Sequence, residues 1–239
     1  MKIRPLLLAL LLASCAPKPS FYYEVRPPLT SIHLIDREGM TEAIANTERL
    51  KNFQDVDFLS HQPYQKVLRV FERDCKGDVL AYITTYHPNG QIRQYLEILN
   101  NRAFGTYREW YANGTLKVES NIVEGTADIS VAAEKSWLFD GCSKAFNECG
   151  ELEATFSYCR GSLEGVAVYY HANGSIWKEV PYKNNLISGE SKIYLESGEI
   201  LQTTEYKNGL KWGRSIRFWP DLSISSSEEY VQGLSLIHI

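Results

Sequence analysis

A repeat of 24 residues constrains this chain more than any other feature. Asn89-Gly90, Asn113-Gly114, Cys149-Gly150, Asn173-Gly174 and Ser197-Gly198 share one register at spacings of 24, 36, 24 and 24, so a single insertion of twelve residues interrupts a fixed period. A sixth copy follows, with Leu222 in place of the glycine. Four residues before each of these points stands an aromatic residue, namely Tyr86, Trp110, Phe146, Tyr170, Tyr194 and Phe218, in a chain that is only 12% aromatic. A fixed internal period of this length is the mark of a stacked repeat architecture, in which each copy is one supersecondary unit.

Within a copy the turn signals fall twice. Eleven residues after each anchor come Asn101, Gly125, Gly161, Asn185, Gly209 and Gly233, residue types that accept positive φ. Four residues later come Gly105, Gly165, Gly189 and Gly213. The second copy is read as lacking this last glycine because the insertion begins there, and the sixth has Ile237 in its place. Between the turns the pattern has period 2: Ile92 and Ile98, Leu116 and Ile122, Leu152 and Tyr158, Ile176 and Tyr182, Ile200 and Tyr206, Ile224 and Tyr230 are expected on one face of a strand. Arg93, Lys117 and Glu153 lie between them, and Glu199 directly precedes Ile200. Each repeat is thus two strands and two tight turns, unable to bury an apolar face alone but able to do so against its neighbour. The aromatic column is expected to form a continuous ladder down the stack.

Outside the repeats, residues 64–86 read as a degenerate terminal hairpin turning at Asp74-Cys75-Lys76-Gly77. Arg37 to Phe53 has helix-forming composition with Met40, Ile44 and Leu50 on one stripe, and predicts a short helix packed on that hairpin. The first residues read as an export signal: charged Lys2 and Arg4, then an apolar run from Leu6 to Leu12 too short to span a bilayer. It ends in Leu12-Ala13-Ser14-Cys15, so Cys15 is expected to become a lipidated N-terminus, followed by a Pro-rich tether from Ala16 to Pro28. The last six residues, Leu234 to Ile239, are what a common transposase adapter encodes in frame, and the repeat pattern is cut there in mid-hairpin. The expected organisation is a lipoprotein signal at 1–14, tether and helix at 15–62, repeats at 63–233 with an insertion near 126–138, and an adapter remnant at 234–239.

Tyr86-His87-Pro88-Asn89-Gly90, Tyr111-Ala112-Asn113-Gly114, Tyr170-His171-Ala172-Asn173-Gly174 and the paired Gly209 and Gly213 resemble the variant MORN repeat of the YwqK-type family, often labelled antitoxin-like. The signal, lipobox and residues 40–100 are also similar to lipoproteins of this family from chlamydia-type bacteria. The resemblance implies a mainly β protein, an open elongated sheet of stacked MORN-type hairpins, serving as a scaffold or binding surface.

Chemistry is sparse in the sequence. His87 and His171 hold the same repeat position and read as turn-flanking structural residues, while His33 and His61 lack metal-ligand spacing, so no metal or other cofactor is inferred. Cys142, Cys149 and Cys159 cluster around the insertion, which together with Cys75 allows two disulfides in three pairings, one bridge being expected within the cluster. There is no Cys-x-x-Cys, no Gly-x-Ser-x-Gly and no phosphate-cradling loop, and Asp140, Glu148 and Glu151 read as solvated turn residues, so no enzyme and no small-molecule substrate are inferred. The net charge of −4, or −6 once Lys2 and Arg4 are removed, disfavours nucleic acid and anionic lipid. In the insertion, Asp128 or Ser130 can cap a helical turn through Ala132, Ala133 and Glu134, leaving Trp137 and Leu138 either as anchors for a protein partner or as a flap that folds back over the sheet. The expected function is an exported, membrane-anchored binding or scaffold module, outer-membrane or periplasm-facing, that meets an unidentified protein through its sheet face or the insertion. The alternatives are an antitoxin-like neutraliser and a lipid-headgroup binder.

Overall fold

Each first turn closes in the same way. The amides of His87, Tyr111, Asn147, His171, Leu195 and Trp219 donate to the carbonyl four residues on at 2.8–3.0 Å, and the amide of the anchor residue donates back. The anchor sits at positive φ in all six copies, from 82° to 94° for the glycines and 63° for Leu222. A leucine held there pays a steric penalty that glycine does not. Leu222→Gly is therefore expected to stabilise the last hairpin by about 1 kcal/mol, read as slower amide exchange across it.

The computed structural model describes residues 27–62 and 65–236. Nineteen strands form one antiparallel sheet. Its N-terminal part is β1 (Leu29–Asp36), β2 (Thr41–Ile44), β3 (Gln65–Arg73), β4 (Val79–Tyr86), β5 (Ile92–Leu99), β6 (Arg102–Trp110) and β7 (Leu116–Glu124). After the insertion come β8 (Leu138–Phe139), β9 (Gly141–Phe146), β10 (Leu152–Cys159), β11 (Ser162–Leu163), β12 (Gly165–Tyr170), β13 (Ile176–Lys183), β14 (Leu186–Ile187), β15 (Gly189–Tyr194), β16 (Ile200–Lys207), β17 (Leu210–Phe218), β18 (Ile224–Val231) and β19 (Leu234–Leu236). Neighbours in sequence are neighbours in the sheet, except that β1 lies between β2 and β3 and that β8 and β9, β11 and β12, and β14 and β15 are each two stretches beside one common strand. Cys15, the expected lipidation site, and nearly all of the expected tether at Ala16–Pro28 lie outside the described residues.

The helix expected over 37–53 is much shorter. Asp36 Oδ1 accepts from the amides of Glu38 and Met40, Gly39 takes positive φ, and the chain returns as β2. Only α1 (Thr47–Lys51) is helical, capped by Asn46 Oδ1 on the amides of Glu48 and Arg49. Met40 is 69% exposed, whereas Ile44 and Leu50 are buried.

A second correction concerns faces. In each of the six copies one extra residue, Arg93, Lys117, Glu153, Trp177, Leu201 or Ser225, breaks the register just after the first turn. Such a bulge reverses the alternation of side chains. Ile92 consequently packs with Tyr86, Leu68, Val70, Leu50 and Phe58 on one side, while Ile98 packs with Ile83, Leu96, Tyr107 and Ile122 on the other. The expected single face for Ile92 and Ile98 is therefore two faces.

The second turns have two consecutive residues at positive φ at Asn100-Asn101, Arg160-Gly161, Asn184-Asn185, Asn208-Gly209 and Gln232-Gly233, the type I′ geometry that matches strand twist. Nor does the second copy lack its late glycine: Gly141, 36 residues after Gly105, has φ 82°. Gly105, Gly141, Gly165, Gly189 and Gly213 stand directly opposite Ile122, Tyr158, Tyr182, Tyr206 and Tyr230, leaving room for a large side chain beside a bare backbone.

Candidate binding surface

The first-turn edge is tied from repeat to repeat. The ring of His87 bonds the carbonyl of Trp110 at 2.9 Å, Tyr111 hydroxyl donates to that of Phe146 at 3.0 Å, and His171 bonds that of Tyr194 at 3.1 Å. Asn89, Asn113 and Asn173 donate to the carbonyls of Ala112, Glu148 and Glu196 beside them. His61 bonds the carbonyl of Asn89, and His33 packs on Phe71 with ring centroids 5.0 Å apart. Among the described residues no group of three or more His, Cys, Asp or Glu gathers as a metal set.

The aromatic column is not a ring ladder. Its members sit two strands apart, about 9.5 Å, beyond the roughly 4.5–7 Å at which rings touch. The touching rings are others: Tyr107, Trp137, Phe139 and Tyr158 form a chain with centroid separations of 4.9, 6.4 and 5.5 Å. Tyr86 instead lies in the core, its hydroxyl donating to the carbonyl of Phe58 at 2.8 Å. Burial pushes its phenol up to about 12. Tyr194 donates to Glu179 at 2.7 Å, and burial together with that carboxylate raises its pKa.

The insertion folds back. Ser130 caps α2 (Val131–Glu134), as the sequence suggests. Trp137 is only 5% exposed, its indole N–H donates to the carbonyl of Thr126 at 2.9 Å, and a Cβ on Gly125 would lie 2.5 Å from its ring. Trp137 is thus a core residue and not an anchor presented to a partner. Leu138 belongs to the repeat itself: it starts β8 and lies beneath Gly161, as Leu186 lies beneath Gly209 and Leu210 beneath Gly233.

The expected bridge within the cysteine cluster does not form with Cys149 or Cys159, which are free and exposed, as is Cys75. Cys149 is in a first turn and Cys159 at the far end of β10, a separation of about 30 Å along an extended strand, against the roughly 4.4–6.8 Å between Cα atoms that a disulfide spans. A maleimide titration of the native protein without reductant is expected to label Cys75, Cys149 and Cys159.

Down the middle of the face that carries Trp137 runs a row the sequence reading did not single out: Ile83, Leu96, Tyr107, Ser120, Ser143, Phe156, Ala167, Val180, Ser191, Thr204 and Ser215. It keeps the 24-residue period but changes from large and apolar to small and hydroxylated. Thr204 and Ser215 share a hydrogen bond of 2.9 Å. Beside it stand Tyr158, Tyr182 and Tyr206, and burial with neighbouring Tyr182 raises the pKa of Tyr158 and Tyr169. Among the described residues no helix or loop covers this part of the sheet, and Trp177, Leu186, Leu210, Trp212 and Trp219 are exposed.

The geometry defines an open antiparallel repeat sheet, closed on both faces at its N-terminal end and bare towards its C-terminal end. Residues 105–123, 163–184 and 187–208 match the MORN repeat variant, and the β-hairpin geometry fits such repeats. No curated protein matches the chain in sequence. MORN repeats commonly bind membranes or proteins and are not typically enzymatic.

Proposed function

We propose that the chain is an exported, lipid-anchored scaffold that binds a protein partner through the sheet face from β12 onwards. The observation that carries this reading is Trp177, 44% exposed and set on that face by its bulge, its ring centroid 6.2 Å from that of Tyr169. Large exposed aromatics are the usual anchors of an interface. The lipobox at Leu12 to Cys15 supports attachment by acyl chains, with residues 16–28 as the tether.

A photo-crosslinking residue placed at Trp177 in cells tests the interface. One defined protein adduct from Trp177, absent from controls at Lys51 and at Trp212 on the opposite face, is expected; no adduct, or the same adducts from the controls, overturns it. Intact-mass analysis of the membrane fraction tests the anchor, which requires an acylated N-terminus at Cys15 that disappears in Cys15→Ala. An unprocessed Met1 terminus overturns that part.

A further inference from the structure

The insertion covers only part of its face, and beside it remains a cleft of about 340 Å³. Its floor is apolar, formed by Phe71, Val79, Ala81, Ile83 and Ile98, with Ala127 at the roof and Arg69 at the rim. A cavity near the lower end of the ligand-binding range, roughly 300 Å³, suits one bulky group.

Both walls are fixed. Asn100 Oδ1 accepts from the amide of Val79 at 2.9 Å, while its Nδ2 donates to Asp78 at 2.9 Å. The roof is held by Thr126, whose amide donates to Ser136 Oγ and whose carbonyl accepts from both Trp137 and the amide of Asp128. A pocket held in this way loses little conformational freedom when filled.

The rim sets the ligand's charge. Arg69 donates to Asp128 Oδ1 at 3.0 Å, and this pair, half-exposed, closes the cleft against the insertion. The pair is neutral as a unit, yet the guanidinium has further N–H donors and the carboxylate further lone pairs. A free anion would meet Asp128, and a free cation would meet Arg69. An amide, which both donates and accepts, complements the two together.

We propose that this cleft receives one bulky apolar side chain, leucine- or phenylalanine-like, from a protein partner, whose backbone amide bonds the Arg69–Asp128 pair. The proposal deepens the binding-module reading by adding a second contact on the same face as Trp137. The test uses the full chain and model ligands followed by NMR titration: N-acetyl-phenylalaninamide, N-acetyl-leucinamide, N-acetylglycinamide and phenylacetate.

The first two are expected to bind saturably in the millimolar range, with glycinamide and phenylacetate weaker by about tenfold or more. Ala127→Phe, checked for an unchanged melting temperature, should abolish binding, and Arg69→Met should weaken it while leaving the apolar preference. Absence of saturable binding, equal binding by Ala127→Phe, or tighter binding of phenylacetate overturns the proposal. Crosslinking at Trp177 does not depend on the cleft, so that reading and this one fail separately.

Discussion

Trp137→Ala is expected to destabilise the protein by about 3–5 kcal/mol, the range for removing a large buried aromatic side chain. Trp137 rests against Tyr107 at 4.9 Å and meets Phe139 edge-on at 6.4 Å. Its N–H also satisfies the carbonyl of Thr126, which holds the start of the insertion over the sheet. The substitution leaves a cavity between Tyr107, Ile122 and the insertion, and frees Ala127 and Ile129 from the face they cover. Denaturant unfolding monitored by circular dichroism reads the loss. An interface anchor would behave otherwise, since an exposed surface residue changes stability by no more than about 0.5 kcal/mol. The insertion therefore lost its standing as an interface at its Trp137 end, while its Ala127–Asp128 end still rims a cleft.

The repeat was legible because turn chemistry is local. Asn-Gly at one end and Asn or Gly at the other mark positive φ whatever the surroundings, so strand ends, hairpins and the open sheet follow from spacing alone. What escaped depends on contacts distant in sequence or on a one-residue shift. The bulge at Arg93 and its five counterparts moves Ile92 to the opposite face from Ile98 although both are even-numbered isoleucines. Gly141 was hidden by the insertion, although the same 36-residue step that relates Gly114 to Gly150 relates it to Gly105. The helical stripe of Met40, Ile44 and Leu50 was broken by Gly39 and by the Asp36 side chain, which close a turn. Free Cys149 and Cys159 show that closeness in sequence is a poor guide to pairing when a strand runs between.

The site was less legible than the fold for a physical reason. A repeat period reports what every copy must keep, and a binding feature is what one copy has alone. Arg69 and Asp128 lie 59 residues apart and meet only because the insertion returns to the first hairpins. Trp177 is the extra residue of its own bulge, where the other copies carry Arg93, Lys117, Glu153, Leu201 or Ser225. That departure from the column was visible in the sequence, but the sequence reading did not use it.

Leu96→Ala is expected to destabilise the N-terminal half by about 2–5 kcal/mol, whereas Thr204→Ala, in the equivalent row further along, should cost about 1 kcal/mol. Leu96 is 0% exposed beneath the insertion, with Ile83, Tyr107 and Trp137 in the same cluster. Thr204 shares its bond with Ser215, which keeps a second partner in Gln202 when the threonine hydroxyl is removed. In a stacked sheet each repeat leans only on its neighbours, so the two substitutions should act in different places. Amide exchange resolves them: Leu96→Ala should speed exchange across β4 to β7, and Thr204→Ala only across β15 to β17. Equal losses across the whole sheet from both would mean one cooperative unit, and would remove the physical basis for treating the bare C-terminal half as the adaptable part. Unequal losses would mean that the covered half supplies the rigidity against which the open half can adjust to a partner, since elements that move on binding are drawn from the less stable end of a fold.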